Sequence, residues 1–184
     1  MCAHPDLTAE LDLTERLSDP VAERLDAVIR IGALADSSLI ATKLAEQKRL
    51  LVASPAYLAQ RGTPAGVAAL AGHRLLDKLH GADLPGWADV LGGPVQQAVF
   101  RPDDFEALRS AALAGMGVAL LPAWVVGPDV RTGALTHIGL DRERWNEQSA
   151  GIHLLRALPQ PPAKLREFID AMRAFIGSPP CWEP

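Results

Sequence analysis

A chain of 184 residues with 48% hydrophobic and 22% charged residues has the composition of an ordinary globular domain. At this length it buries roughly 70% of its unfolded surface and needs no disulfide or metal staple. Its formal net charge of −4 argues against direct DNA binding by this segment alone, because a grip on phosphates needs a basic face.

No apolar run approaches the roughly 18 residues of a membrane span, so no membrane partner is expected. The opening residues carry neither the basic n-region nor the apolar h-region of a secretory signal, and the expected location is cytoplasmic. Cys2 and Cys181 lie near opposite ends of the chain. They read as two reduced thiols, and a disulfide between them cannot be read from sequence.

In chain order, Thr8 to Glu15 alternates Ala9, Leu11 and Leu13 with Glu10, Asp12 and Thr14, which predicts a strand. Ser18 and Pro20 mark the cap and early turn of a short helix over 18–26. Residues 27–32, Ala-Val-Ile-Arg-Ile-Gly, predict a second strand. Together these form a βαβ unit, which implies parallel strands. Another strand is expected at 49–53, then a short helix capped by Ser54 with Pro55 at its first position. Thr63 and Pro64 repeat that signal for a helix to about Ala71.

Beyond a turn-rich stretch with an apolar cluster at Trp87–Leu91, residues 95–100 predict a strand. The best helix begins beside Asp103, which can cap it with Glu106 reaching back. It ends at Gly115-Met116-Gly117, followed by a short buried strand, Val118 to Pro122. A short helix and turn over 123–133, strands at 134–138 and 151–158 and a helix at 161–176 complete the pattern. The last eight residues are expected to fray. Strands alternating with helices define an α/β class.

Most chemistry-bearing patterns fail on their geometry. A dinucleotide fingerprint needs strand, glycines, then helix. At Gly115-Met116-Gly117 the order is reversed and the negative end of the helix dipole is presented. The five histidines show no metal-ligand spacing and no cysteine lies near them. No Gly-x-Ser-x-Gly elbow is present. No cofactor, metal or catalytic set is therefore expected. Asp103 and Asp104 read as helix-start carboxylates, and Lys43, Lys48 and Arg49 as a solvated basic face. Arg30, inside an apolar run, either snorkels or faces a crevice. With Ser18 it sits at the rim where open α/β sheets bind ligands.

Two blocks carry a family resemblance: Arg24 through Pro64, and Phe105 through Val126 with Gly133-Ala134-Leu135 beyond. They resemble the effector-binding domain of LysR-type transcriptional regulators. The first is similar to that family's Ile-Arg-x-Gly strand end, Ser-Leu turn and Leu-Val-Ala-Ser-Pro-x-Tyr-Leu run. The second is similar to its Ala-Ala-x-x-Gly-x-Gly-Val-Ala-x-Leu-Pro block. The resemblance implies a type 2 periplasmic-binding-protein-like α/β fold, two lobes joined by two crossover strands. Lobe I would comprise 1–51 and 155–184, and lobe II 52–154.

A small-molecule effector, anionic or aromatic, would sit between Ser18, Arg30 and Gly32 of lobe I and Phe100, Asp103 and Gly117 of lobe II. The resemblance starts after the family's helix-turn-helix, linker helix and the first strand and helix of lobe I. The expectation is thus a chain truncated at its N-terminus, with an apolar groove in lobe I and a weakened homodimer. A free-standing solute-binding protein and a small α/β enzyme are the alternatives.

Overall fold

The computed structural model describes residues 8–14, 16–79, 86–93, 98–140 and 150–184. The elements are β1 (Val28–Gly32), β2 (Ile40–Glu46), β3 (Arg49–Ala53), α1 (Pro55–Arg61), a 3-10 turn (Val67–Gly72), β4 (Leu75–Leu76) and α2 (Trp87–Leu91). They continue with β5 (Ala98–Phe100), α3 (Phe105–Leu113), β6 (Val118–Pro122), α4 (Ala123–Thr132), β7 (Thr136–His137), β8 (Gly151–Arg156) and α5 (Ala163–Ile176).

Two sheets result: a three-stranded one in the order β1-β8-β2 and a five-stranded one in the order β5-β4-β6-β3-β7. In the first, β8 returns from the end of the chain to lie antiparallel between β1 and β2. In the second, β3 and β6 are buried at every position. Their alternate faces feed two cores. Leu50, Val52, Ala119 and Leu121 pack with α3 and α4, and Leu51, Ala53, Val118 and Leu120 with Tyr57, Leu70 and Trp87. Helix α5 covers one face of the smaller sheet through Leu165, Ile169 and Ile176 against Leu154, Ile152 and Ala45.

The sheets meet at two chain crossings. Only Gln47 and Lys48 separate β2 from β3, and the Gln47 amide donates to the Ala150 carbonyl at 3.0 Å, one residue before β8. Arg49–Ala53 lies wholly in the five-stranded sheet and Gly151–Arg156 wholly in the three-stranded one.

Several sequence expectations are corrected. Residues 8–14 form no strand, and Leu11 and Leu13 are exposed. A strand needs a hydrogen-bonded neighbour, and among the described residues β1, the nearest strand in sequence, pairs only with β8. The βαβ reading with parallel strands fails with it. Residues 20–24 form a turn, held by the Asp19 carboxylate accepting from the Val21 amide at 2.8 Å.

The helix expected from Thr63 is the 3-10 turn starting after Gly66. The cap of α3 is Asp104, whose carboxylate accepts from the Ala107 amide at 2.8 Å. Burial of Leu108, Ala111 and Ala112 fixes the helix phase one residue later than expected. Helix α4 is ten residues long and runs through Pro128.

The C-terminal segment does not fray. Trp182 packs against both the α3/α4 core and the α5 core. Glu183 accepts from Lys48 Nζ at 2.7 Å through its carboxylate and from Arg131 Nη1 at 2.9 Å through its carbonyl. Other readings hold. Ser54 caps α1 by accepting from the Tyr57 amide at 3.3 Å with Pro55 following it. Cys181 is free and exposed, while Cys2 lies outside the described residues.

The Gly115-Met116-Gly117 corner has a packing explanation. Gly115 takes φ +75° at the end of α3, where its amide donates to Ala112 and that of Met116 to Ala111, both at 3.0 Å. At Gly117 a side chain would collide with the carbonyl of Arg74, the same group that accepts from Val118 at 2.8 Å.

Candidate functional site

At the junction the last rung of the three-stranded sheet is Gly32, Gly151 and Glu46, beside the Gln47–Ala150 bridge. Two rungs back stand Arg30, His153 and Lys43. His153 is held below its ordinary pKa by burial and then by Lys43. Lys43 itself pairs with Glu46 at 2.5 Å. Ser18 is buried just before the 20–24 turn.

On the other side of the junction the five-stranded sheet ends at Arg49, paired with Pro122. Arg49 is only 6% exposed. Its guanidinium carbon lies 5.5 Å from the ring centre of Phe105, and Lys78 Nζ lies 5.3 Å from the same ring. Two cations on one aromatic ring use its negative face twice. Burial pushes the Arg49 pKa down to about 10, with Asp77 and Asp89 opposing. It therefore stays charged at neutral pH. Trp124 meets Phe105 edge-on at 6.1 Å between ring centres.

A small cavity of about 50 Å³ opens here, lined by Arg49, Leu76, Asp77, Lys78, Gly86, Trp87 and Leu120. The Trp87 indole N–H is not aimed into it, because it donates to the Leu76 carbonyl at 2.7 Å. Phe100 and Asp103 stand at this end of the sheet too. The Asp77 amide donates to the Phe100 carbonyl at 3.1 Å, and Lys78 binds Asp103 Oδ1 at 3.1 Å.

Among the described residues, several buried polar atoms at the junction have no hydrogen-bond partner. They include both amide atoms of Gln47 and the indole Nε1 of Trp124. A buried polar group costs free energy unless something satisfies it.

Of the sequence-selected residues, the fold brings Arg30 and Gly32 to one side of the junction and Phe100 and Asp103 to the other. Gly117 lies elsewhere. It precedes β6 at the Arg74 end of β4, opposite to the Asp77–Lys78 end. Sequence reasoning missed Gln47, Arg49, Lys78, Phe105 and Trp124. Arg49 was read as part of a solvated basic face, yet it opens a strand buried at every position. Its place before Leu-Leu-Val-Ala was the available signal.

Two sheets with flanking helices, linked between β2 and β3 by Gln47 and Lys48 alone, define a mixed α/β fold. The chain belongs to the LysR substrate binding domain family, whose model matches residues 2–176. The HTH-type transcriptional regulator CrgA of Neisseria meningitidis is 30% identical over 182 residues, covering 97% of this chain and 60% of the relative. The chain thus spans about 60% of that relative's length. A solved regulatory domain of AphB from Vibrio vulnificus superimposes with TM-score 0.71 at 26% identity, covering 95% of this chain and 86% of that one. The solved CrgA regulatory domain gives TM-score 0.69 at 30% identity over 85% of this chain and 78% of that one.

Proposed function

We propose that this chain is the effector-sensing module of a LysR-type transcriptional regulator, working as a two-lobe cleft rather than as an enzyme. The carrying observation is the junction itself. Two sheets meet at the Gln47–Ala150 bridge, and the buried Gln47 side-chain amide and Trp124 indole N–H have no hydrogen-bond partner among the described residues.

In this reading lobe I is the three-stranded sheet with α5 and lobe II the five-stranded sheet with α1–α4, which sets the lobe boundaries at Gln47–Lys48 and just before Gly151 rather than at 51/52 and 154/155. Ser18, Arg30 and Gly32 line the cleft from lobe I, and Phe100 and Asp103 from lobe II. Gly117 serves packing. Among the described residues β1 pairs with β8 alone and Leu11 and Leu13 are exposed, which supports the further reading that lobe I is one strand and one helix short of the family fold. A homodimer contact using that helix is weakened accordingly.

The mechanism is a population shift. A small molecule contacting both lobes favours the arrangement in which both sets of contacts form. Attached DNA-binding domains would then be re-spaced, in the cytoplasm, without DNA contact by this module. Among the described residues no helix is long and apolar enough to cross a membrane.

A thermal-shift screen of the chain against a metabolite library tests the reading, since a ligand bound only by the native state raises its melting temperature. One or more saturable stabilisers are expected, together with a negative gel shift on DNA. A screen with no stabiliser, or specific DNA binding by this chain, contradicts it.

A further inference from the structure

We infer that the C-terminal segment, residues 177–184, is a strap that holds the two sheets in one relative arrangement, with Trp182 as its latch. The inference concerns how the sheets are held together. It stands apart from the effector-sensing reading, so either can fail without the other.

The link between β2 and β3 is two residues long, Gln47 and Lys48. So short a link acts as a hinge: it keeps the sheets adjacent and leaves their angle to the contacts that span the gap. Among the described residues, Trp124 and Trp182 are the two side chains packed against both the α3/α4 core and the core that joins α5 to the three-stranded sheet. One comes from each side. Trp124 belongs to α4, and Trp182 follows α5.

The segment is tied at three places. At its root the Cys181 amide donates to the Ile176 carbonyl at 2.6 Å, which turns the chain back onto the end of α5. At its middle the Trp182 carbonyl lies against the backbone of Gly127 in α4, leaving no room for a methyl group there. At its tip Glu183 binds Lys48 of the link at 2.7 Å and, through its carbonyl, Arg131 of α4 at 2.9 Å. It therefore touches α5, α4 and the link at once. A change in the angle between the sheets must carry α4 away from α5 or strip Trp182 from one of its two cores.

The hold is moderate and reversible. The Lys48 and Glu183 side chains are 51% and 29% exposed, and such a pair contributes little in water. Trp182 carries most of the hold, because a large aromatic side chain buries much apolar area. Pro179, Pro180 and Pro184 stiffen the segment, so a released strap has fewer conformations to lose when it docks again. Its tether to α5 makes that docking intramolecular. The family model matches residues 2–176, so the strap lies beyond the residues it matches.

Distances between pairs of spin labels test the inference on the full chain. One pair spans the sheets, Gln60→Cys in α1 with Lys164→Cys in α5. The other stays on one side, Ala41→Cys in β2 with Lys164→Cys. All three positions are exposed, and Cys2→Ser with Cys181→Ser removes the native thiols. The parent chain is expected to give one narrow distance population for the spanning pair. Trp182→Ala on the strap and Gly127→Ala on α4 are each expected to broaden it or add a second population. The pair on one side stays unchanged. Phe175→Ala, exposed on α5, alters neither pair. Far-UV circular dichroism verifies that each variant is folded. If Trp182→Ala does not fold, a chain ending at residue 181 replaces it.

A parent chain with several spanning distances, an unchanged spanning pair in either variant, an equal change in the pair on one side, or a response to Phe175→Ala overturns the inference.

Discussion

The carbonyl of Trp182 lies against the backbone of Gly127, so close that a methyl group at position 127 would occupy the same space. Helix α4 thus carries a glycine in its middle, where helix propensity disfavours one, because the C-terminal segment crosses it there. Gly127→Ala is expected to lower stability by about 1–3 kcal/mol through overpacking, despite alanine's better helix propensity. Chain truncation after Cys181 should remove most of that penalty. Denaturant unfolding of the two variants and their combination reads the coupling. An alanine that is neutral or stabilising in the full chain would show that the tail does not pack here.

Helices α3 and α4 are clamped by a fork. Arg109 Nε donates to Asp129 Oδ2 at 2.6 Å and Nη2 to Oδ1 at 2.8 Å. The Asp129 hydrogen bond holds the guanidinium well above its ordinary pKa, with burial opposing. Asp129 is buried and Arg109 partly so. Arg109→Ala should cost about 1.5–3 kcal/mol because it leaves a buried carboxylate without its donors. Glu106→Ala, which removes only an exposed partner, should stay within about 0.5 kcal/mol. Chemical denaturation of both variants separates the two contributions.

The start of α3 offers a comparison of neighbours. Asp104→Ala should lose about 1 kcal/mol, the usual worth of a helix cap. Asp103→Ala removes only a half-exposed pair with Lys78 and should change stability by about 0–1 kcal/mol. Thermal melts of the two variants decide which aspartate is the cap, and a larger loss at Asp103 would restore the capping box read from sequence.

His153 makes stability depend on pH. Burial, and then Lys43, lower its folded-state pKa. Between that lowered value and the ordinary value of about 6.5, the unfolded chain binds more protons than the folded one. Stability therefore falls as pH drops below about 6.5 and this contribution levels off below the folded pKa. His153→Gln should flatten that part of the pH–melting profile. An unchanged profile in the variant would assign the acid sensitivity to other groups.

What the sequence disclosed follows the range of the forces involved. Local signals worked: Ser54-Pro55 gave the start of α1, and the apolar run 118–122 gave β6. The Gly115 stop at the end of α3 was legible as well. Pairing across long separations was not legible. The alternation of residues 8–14 is good strand chemistry, but strands exist only with partners, and β1 chose β8 more than a hundred residues away. The candidate site suffered the same limit. Arg30, Gly32, Phe100 and Asp103 came from local pattern and resemblance. The gathering of Gln47, Arg49, Lys78, Phe105 and Trp124 depends on the register of β3 against β6 and on where α2 and α3 land. Trp182 was hidden by a Gly, Pro and Ser context that usually marks a loose end.

Hydrogen–deuterium exchange with and without the most stabilising ligand tests the central claim most directly. The account predicts simultaneous protection of residues 30–32 on one side of the junction, 47–49 at the crossing, and 100–105 on the other side. Protection confined to one sheet, or none at the crossing, would contradict a ligand-closed two-lobe sensor.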